Sequence, residues 1–242
     1  MALILHYHPL ASFCWKTLIA LYENNTPFEQ VIVDLGEPGS AAAFAALWPI
    51  RKMPVLEDTA RGVVVPESTL VVEHLDLHHR GAVRFVPDDD DEALQVRLWD
   101  RVFDLYVQQP MQKIVHDRLR PEGRRDPHGV AEARATLDTA YAMIERRMAE
   151  ATWAAGETFS LADCAAGPAL HYADMAHPLG AARPATRRYL ERLRARSSFA
   201  RVLAEAQPYA HLLPRAPRPR HDPSFHDIFP PRLSAEWRVV RS

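Results

Sequence analysis

Cysteine is scarce, with only Cys14 and Cys164 in 242 residues. They form neither a CxxC pair nor a thiolate ligand cluster, which excludes a disulfide framework and makes a reducing cytoplasm the expected compartment. Net charge is nearly absent too: 29 basic residues against 31 acidic ones leave −2. That removes any general attraction to nucleic acid or to an anionic membrane. No apolar run is long enough to span a bilayer, and the opening MALILHYHP lacks the basic stretch of a signal peptide. Twelve histidines are scattered along the chain. The His6/His8 and His78-His79 pairs read as polar surface or loop positions, since no third and fourth ligand stands at metal-site spacing, and no metal is expected. What remains is ordinary for a soluble globular protein: 48% hydrophobic and 25% charged residues, and length enough for one large domain or two small ones.

The first eighty residues alternate two periods. ALILHY is a short apolar run fit for a buried strand, stopped by Pro9. From Ser12 the spacing turns helical, with Trp15, Leu18, Ile19 and Tyr22 on one face. FEQVIVDL reads as a strand, GSAAAFAAL as a short helix, and MPVLED and RGVVV as two strands joined by a turn around Ala60 to Gly62. Helical spacing returns from Glu67 to His79. A β-α-β unit needs a crossover, which favours a parallel first pair, whereas the closely spaced second pair suits an antiparallel one. The acidic tract Asp88 to Asp91 reads as the solvated, dipole-favoured start of a helix.

From Glu92 onward the pattern is helical. Leu94, Leu98, Val102 and Leu105 mark one long helix, and Leu137, Tyr141, Ile144 and Met148 another. Ser160 and Asp163 have capping-box spacing at the head of a further helix, Cys164 reads as a buried core thiol, and Pro168 falls inside that helix. From Gln207 the chain is rich in proline and arginine; Arg215, Arg218 and Arg220 lack the aromatic interleaving of a nucleic-acid arm.

Several local features in this order resemble the cytosolic glutathione transferases over roughly residues 1 to 205. One is HYHPLASFCWKTLIAL, a strand, loop and helix, followed by PFE at the next strand. Another is WPIRKMPVLED, similar to the family's NPxGKVPxL, with Met53-Pro54 at its cis proline. A third is VPEST, which matches the xxESxxI start of the third helix, and the SLAD box matches the family's helix cap. The resemblance implies an α/β thioredoxin-like N-terminal domain (residues 1–80), a linker (81–91), an all-α domain (92–206) and a Pro/Arg-rich tail (207–242). It also implies glutathione as substrate and a homodimer.

Glutathione is an anionic extended tripeptide with one amino group and one thiol. A peptide before a cis proline turns its N–H and C=O away from the sheet, so Met53, ahead of Pro54, is expected to pair with the ligand backbone as an added strand would. The helix start at Glu67-Ser68 offers free N–H groups and a hydroxyl for a carboxylate, and Glu67 opposes an ammonium charge. Lys52 can meet the second carboxylate.

The thiol reacts as thiolate, so the protein must lower its pKa. Lowering it by two requires about 2.7 kcal/mol. One hydrogen bond to a charged group supplies roughly 1.5–3 kcal/mol, and a helix N-terminus about 0.3–1 kcal/mol more. One hydroxyl at a helix start therefore suffices. Ser12 has that place. Tyr7, at the strand end, occupies the position of the tyrosine-type classes. Aligned on CWKTLIAL, the position of the serine and cysteine types falls nearer Ala11 than Ser12, so Ser12, Tyr7, Cys14 and bare backbone N–H groups all stay open. The second substrate, a small hydrophobic electrophile, is expected between the domains, with Phe13, Trp15, Tyr106, Gln109 and Met111 as wall candidates. The rival activities are glutathione-dependent disulfide or peroxide reduction, which needs a reactive Cys14, and glutathione binding without turnover. The tail from Pro208 is a candidate cover for the cleft.

Overall fold

The apolar run near the N-terminus forms β1 (Leu3–Tyr7), whose alternate residues Leu3, Leu5 and Tyr7 turn into the core. The computed structural model describes residues 2–213. After β1 come α1 (Ser12–Glu23), β2 (Glu29–Ile32), α2 (Pro38–Leu47), β3 (Val55–Asp58), β4 (Val63–Pro66) and α3 (Ser68–His78). The four strands make one mixed sheet in the order β2-β1-β3-β4. β1 pairs parallel with β2, while β3 runs antiparallel to both β1 and β4. The crossover through α1 and the short β3–β4 turn require this arrangement. Gly62 has a φ of 66° in that turn, the left-handed region that glycine enters without steric cost.

The helical part consists of α4 (Asp90–Val102), α5 (Gln109–Leu119), α6 (Pro127–Glu150), α7 (Leu161–Ala176), α8 (Pro184–Arg194) and α9 (Ser197–Ala206). The acidic tract does start α4: the Asp89 side chain accepts the Glu92 N–H at 3.0 Å. Since α4 begins at Asp90, residue 92 lies within the helix rather than at its boundary. α7 is the centre of the core, buried along nearly its whole length, and it runs on through Pro168. A short 3-10 turn (Gln207–Leu212) follows α9, and the tail beyond residue 213, with Arg215, Arg218 and Arg220, lies outside the described residues.

Two features depart from the spacing. The leucines of α4 mark a helix but not its buried face. Leu94 and Leu98 are 60% and 52% exposed, while Ala93, Val96 and Asp100 turn inward. Between α4 and α5 the helix widens into a π segment (Phe103–Gln108). Each π turn holds an extra residue, so positions beyond it are rotated relative to a continuous α-helical face.

A buried ionic cluster ties the two parts together. Lys16 on α1 meets Asp100 and Asp104, the latter at 2.9 Å, and donates to Thr69 Oγ1 on α3 at 2.8 Å. Thr69 Oγ1 in turn donates to Asp100 Oδ2 at 2.9 Å. Removing one side of such a cluster costs about 3–5 kcal/mol, because a charge is left buried and uncompensated.

Candidate active site

The sheet register brings three chain segments to one end. His6 is opposite Val55, and Val55 is opposite Pro66. The loop after β1, the Met53-Pro54 step before β3 and the Glu67-Ser68 step after β4 therefore emerge side by side. Met53-Pro54 is cis, and Met53 precedes the hydrogen-bonded ladder, which begins at Val55.

Beside this edge is a cavity of about 750 Å³ between the sheet domain and the helices. His8, Ala11, Ser12 and Phe13 line it from the loop and first turn of α1, Arg51, Lys52 and Met53 from before β3, and Met111, Val115, His116, Tyr172 and Met175 from α5 and α7. Loop geometry is held from below. Trp15 Nε1 donates to Pro9 O at 2.6 Å, the Tyr172 hydroxyl donates to Leu10 O at 3.0 Å, and Leu10 N–H donates to His8 Nδ1 at 3.1 Å. Arg51, Lys52 and Arg118 face a single acid, Asp34, which gives the cavity a cationic bias. Burial lowers the pKa of His8, against the opposing charge of Asp34, and so disfavours its charged form.

Ser12 is the first residue of α1; the N-cap is Ala11, with no side-chain cap. The Ser12 hydroxyl is thus not used in capping. Its Oγ instead accepts a hydrogen bond from the Gln108 side-chain amide at the end of the π segment. Accepting there leaves the hydroxyl proton available to a ligand, at the positive end of a helix.

Two sequence candidates fall elsewhere. Tyr7 is not in the cavity. Strand alternation sends its side chain under α1, its hydroxyl donates to Gln30 Oε1 at 3.0 Å, and burial together with the Glu205 carboxylate pushes its pKa up to about 12. Tyr106 does not reach the cavity either: it lies in the π segment, 52% exposed, and the α5 residues beyond that segment take the wall instead. Gln109 is likewise exposed, and Trp15 is fully buried beneath the loop, 4.8 Å from the Tyr172 ring. Cys14 is wholly buried, and burial raises its thiol pKa to about 12, so it offers no thiolate.

Ser12, Phe13, Lys52 and Met53 come together at the cavity, with Pro54 buried behind them. Glu67, exposed with a φ of 67°, and Ser68, buried, stand at the start of α3 on the same sheet edge but outside the cavity wall. Sequence reasoning missed Gln108, Tyr172, His8 and Arg51. Only Arg51, next to Lys52, carried a local signal.

A four-stranded β-α-β-α-β-β-α sheet domain joined to a helical domain, with a helix N-terminus and a cationic cleft between them, defines a thioredoxin-like two-domain architecture. Residues 5–82 match the glutathione S-transferase N-terminal domain model, and residues 127–192 the C-terminal domain model. The chain is 26% identical over 178 residues to glutathione S-transferase F13 of Arabidopsis thaliana, covering 71% of this chain and 80% of that one. It is 22% identical over 191 residues to glutathione S-transferase GstB of Escherichia coli, covering 78% and 91%. A glutathione S-transferase structure from Methylobacillus flagellatus with GSH bound superposes with a TM-score of 0.77 at 24% identity, over 83% of this chain and 98% of that one. One from Methylobacterium radiotolerans in complex with glutathione sulfonate has a TM-score of 0.74 at 27% identity, over 92% and 99%. The chain belongs to the glutathione S-transferase family, and its activity is that of a glutathione transferase.

Proposed function

We propose that the chain holds glutathione along the edge where β1, β3 and β4 end and activates its thiol at Ser12 for attack on a small hydrophobic electrophile. The observation that carries this reading is the Ser12 hydroxyl: it sits in the first turn of α1, faces the cavity, and has its acceptor side taken by Gln108. Its proton is then free to hold a thiolate, and the first amide N–H groups of α1 add to the field there. Lys52, with Arg51, meets one carboxylate of the tripeptide, and the Met53 backbone pairs with its main chain. Ser68 and the N-terminus of α3 receive the other carboxylate, and Glu67 faces the ammonium group. Phe13, Met111, Val115 and Met175 offer the electrophile an apolar wall. Burial of Cys14 removes the support for thiol–disulfide chemistry by the protein's own cysteine.

A second copy of the chain is the proposed partner. Leu70 and Leu77 on α3 and Leu94 and Leu98 on α4 are exposed, an apolar set that a homodimer would cover. The proposed compartment is the cytoplasm, in keeping with two buried free cysteines. No helix among the described residues is long and apolar enough to cross a membrane.

The test is an ultraviolet titration of the thiol of bound glutathione. In the wild type its pKa should lie well below the free thiol value of about 8.5–9. Ser12→Ala should raise it by one to two and lower kcat/KM near pH 6.5 by about 10- to 100-fold, while Tyr7→Phe should leave it in place. A bound pKa that stays low in Ser12→Ala would overturn the assignment to Ser12.

A further inference from the structure

Asp58 closes β3 at the end away from the cleft, three residues beyond Val55 and hence roughly 10 Å along the strand. Its side chain is buried, and two imidazoles converge on one of its oxygens. His74 Nε2 lies 3.0 Å and His79 Nε2 2.7 Å from Asp58 Oδ2. His74 belongs to α3 and His79 follows its last residue, so a strand and a helix end supply three donor atoms, all within 4.8 Å of one another. The other carboxylate oxygen, Oδ1, accepts the Arg61 N–H at 3.2 Å, which orients the group so that Oδ2 faces the rings.

We propose that Asp58, His74 and His79 form a binding site for a late first-row divalent cation such as Zn2+. The donor set points that way: imidazole nitrogens with one carboxylate suit zinc, copper or nickel, whereas calcium and magnesium take oxygen ligands. The spacing is close to that of a metal site: an ion held tetrahedrally about 2.0–2.1 Å from each donor places neighbouring donors about 3.3 Å apart, so the nitrogen–oxygen separations of 3.0 and 2.7 Å would open by a few tenths of an ångström on binding. An ion would enter past His79, whose side chain is 27% exposed against 11% for His74, and water would complete its coordination. On binding, the proton that each neutral ring holds on Nε2 against Asp58 would move to Nδ1 by exchange with solvent, freeing the Nε2 lone pair for the ion, so that two N–H bonds to Asp58 are replaced by metal bonds with no net proton release. The ion would pin the C-terminal end of α3 to the β3–β4 hairpin, a structural clamp independent of the glutathione cleft. The pattern escapes a spacing search because Asp58 lies 16 residues before His74 and on a different element.

The experiment uses the full chain after chelator treatment, titrated with Zn2+ by calorimetry and by thermal melting, and with Co2+ by visible absorption. The expected result is one tight Zn2+ per chain, a raised melting temperature, and a Co2+ spectrum of mixed nitrogen and oxygen ligation. His79→Gln should weaken binding at least tenfold and abolish the thermal shift, whereas His128→Gln, at an exposed site on another helix, should change neither. Equal affinity in wild type and His79→Gln would overturn the site, as would no binding to the wild type at 100-fold excess Zn2+. A Co2+ spectrum without nitrogen ligation would do the same without recourse to any variant.

Discussion

His171 shows what burial does to a single titratable ring. It packs among Trp15, Tyr172 and Phe199 at centroid distances of 5.3, 5.4 and 6.1 Å, and its Nδ1 accepts from Arg194 at 3.2 Å. Burial first, and then the Arg194 charge, lower its pKa from 6.5 to about 3. The unfolded chain therefore takes up a proton near pH 6.5 that the folded chain refuses until about pH 3. Stability from this site is complete above pH 6.5 and falls as pH drops through that window, by up to about 1.4 kcal/mol per pH unit. His171→Phe keeps a ring but cannot bind the proton. Urea midpoints between pH 7 and pH 5 should fall less steeply for the variant, by the equivalent of one proton, and parallel curves would mean that the folded protein already carries the charge. Ser12 shows the converse at the same scale: the role proposed for it rests on position alone, a helix start, one amide partner and a place on the cavity wall.

Among the elements, α7 depends most on one residue. The Asp163 carboxylate accepts the Ser160 N–H at 2.9 Å, the Ser160 hydroxyl at 3.1 Å, the Ala154 N–H at 2.9 Å and the Tyr189 hydroxyl at 2.5 Å. It caps the helix start and also fastens the preceding loop and α8. Asp163→Ala leaves four buried donors without that partner, each worth about 1–3 kcal/mol, and the expected loss of stability is about 3–5 kcal/mol. Ser160→Ala should lose only about 1 kcal/mol. Denaturant unfolding of both variants checks the order; near-equal losses would mean that Asp163 acts as a cap alone. The box was readable in the sequence because capping acts over three residues. Its second role was not, because Tyr189 lies 26 residues further on. The leucines of α4 were read as a helix for the same local reason, but periodicity does not say which neighbour a face meets, and Leu94 and Leu98 turned out to face solvent.

That exposed face is the one the proposed dimer would cover. If a second copy covers α3 and α4, the wild type should travel at twice the chain mass in light scattering. The double variant Leu94→Arg/Leu98→Arg should travel at the single mass with its fold intact by circular dichroism. A wild-type monomer, or a variant that stays dimeric, would remove α4 from the interface. Within one chain the Lys16 cluster couples the two domains, joining α1 and α3 to α4 and the π segment through Thr69, Asp100 and Asp104. None of these residues is near another in the chain except Asp100 and Asp104, so no motif announces them.

By itself the sequence determined the element order, the parallel and antiparallel pairings, the acidic start of α4, the cap of α7 and the family. These rest on interactions a few residues long, or on motifs whose order along the chain is itself the signal. Ser12, Phe13, Lys52 and Met53 were named from such motifs, and sheet register brings them to one cavity. Only the tertiary structure decided that Tyr7 turns under α1, that the π segment leaves Tyr106 outside the cavity, that Gln108 reaches Ser12, and that Asp58 meets His74 and His79. Each of those depends on how one element packs against another far away in sequence, where a rotation of about one residue changes which side chain arrives, and that rotation is set by packing rather than by local pattern.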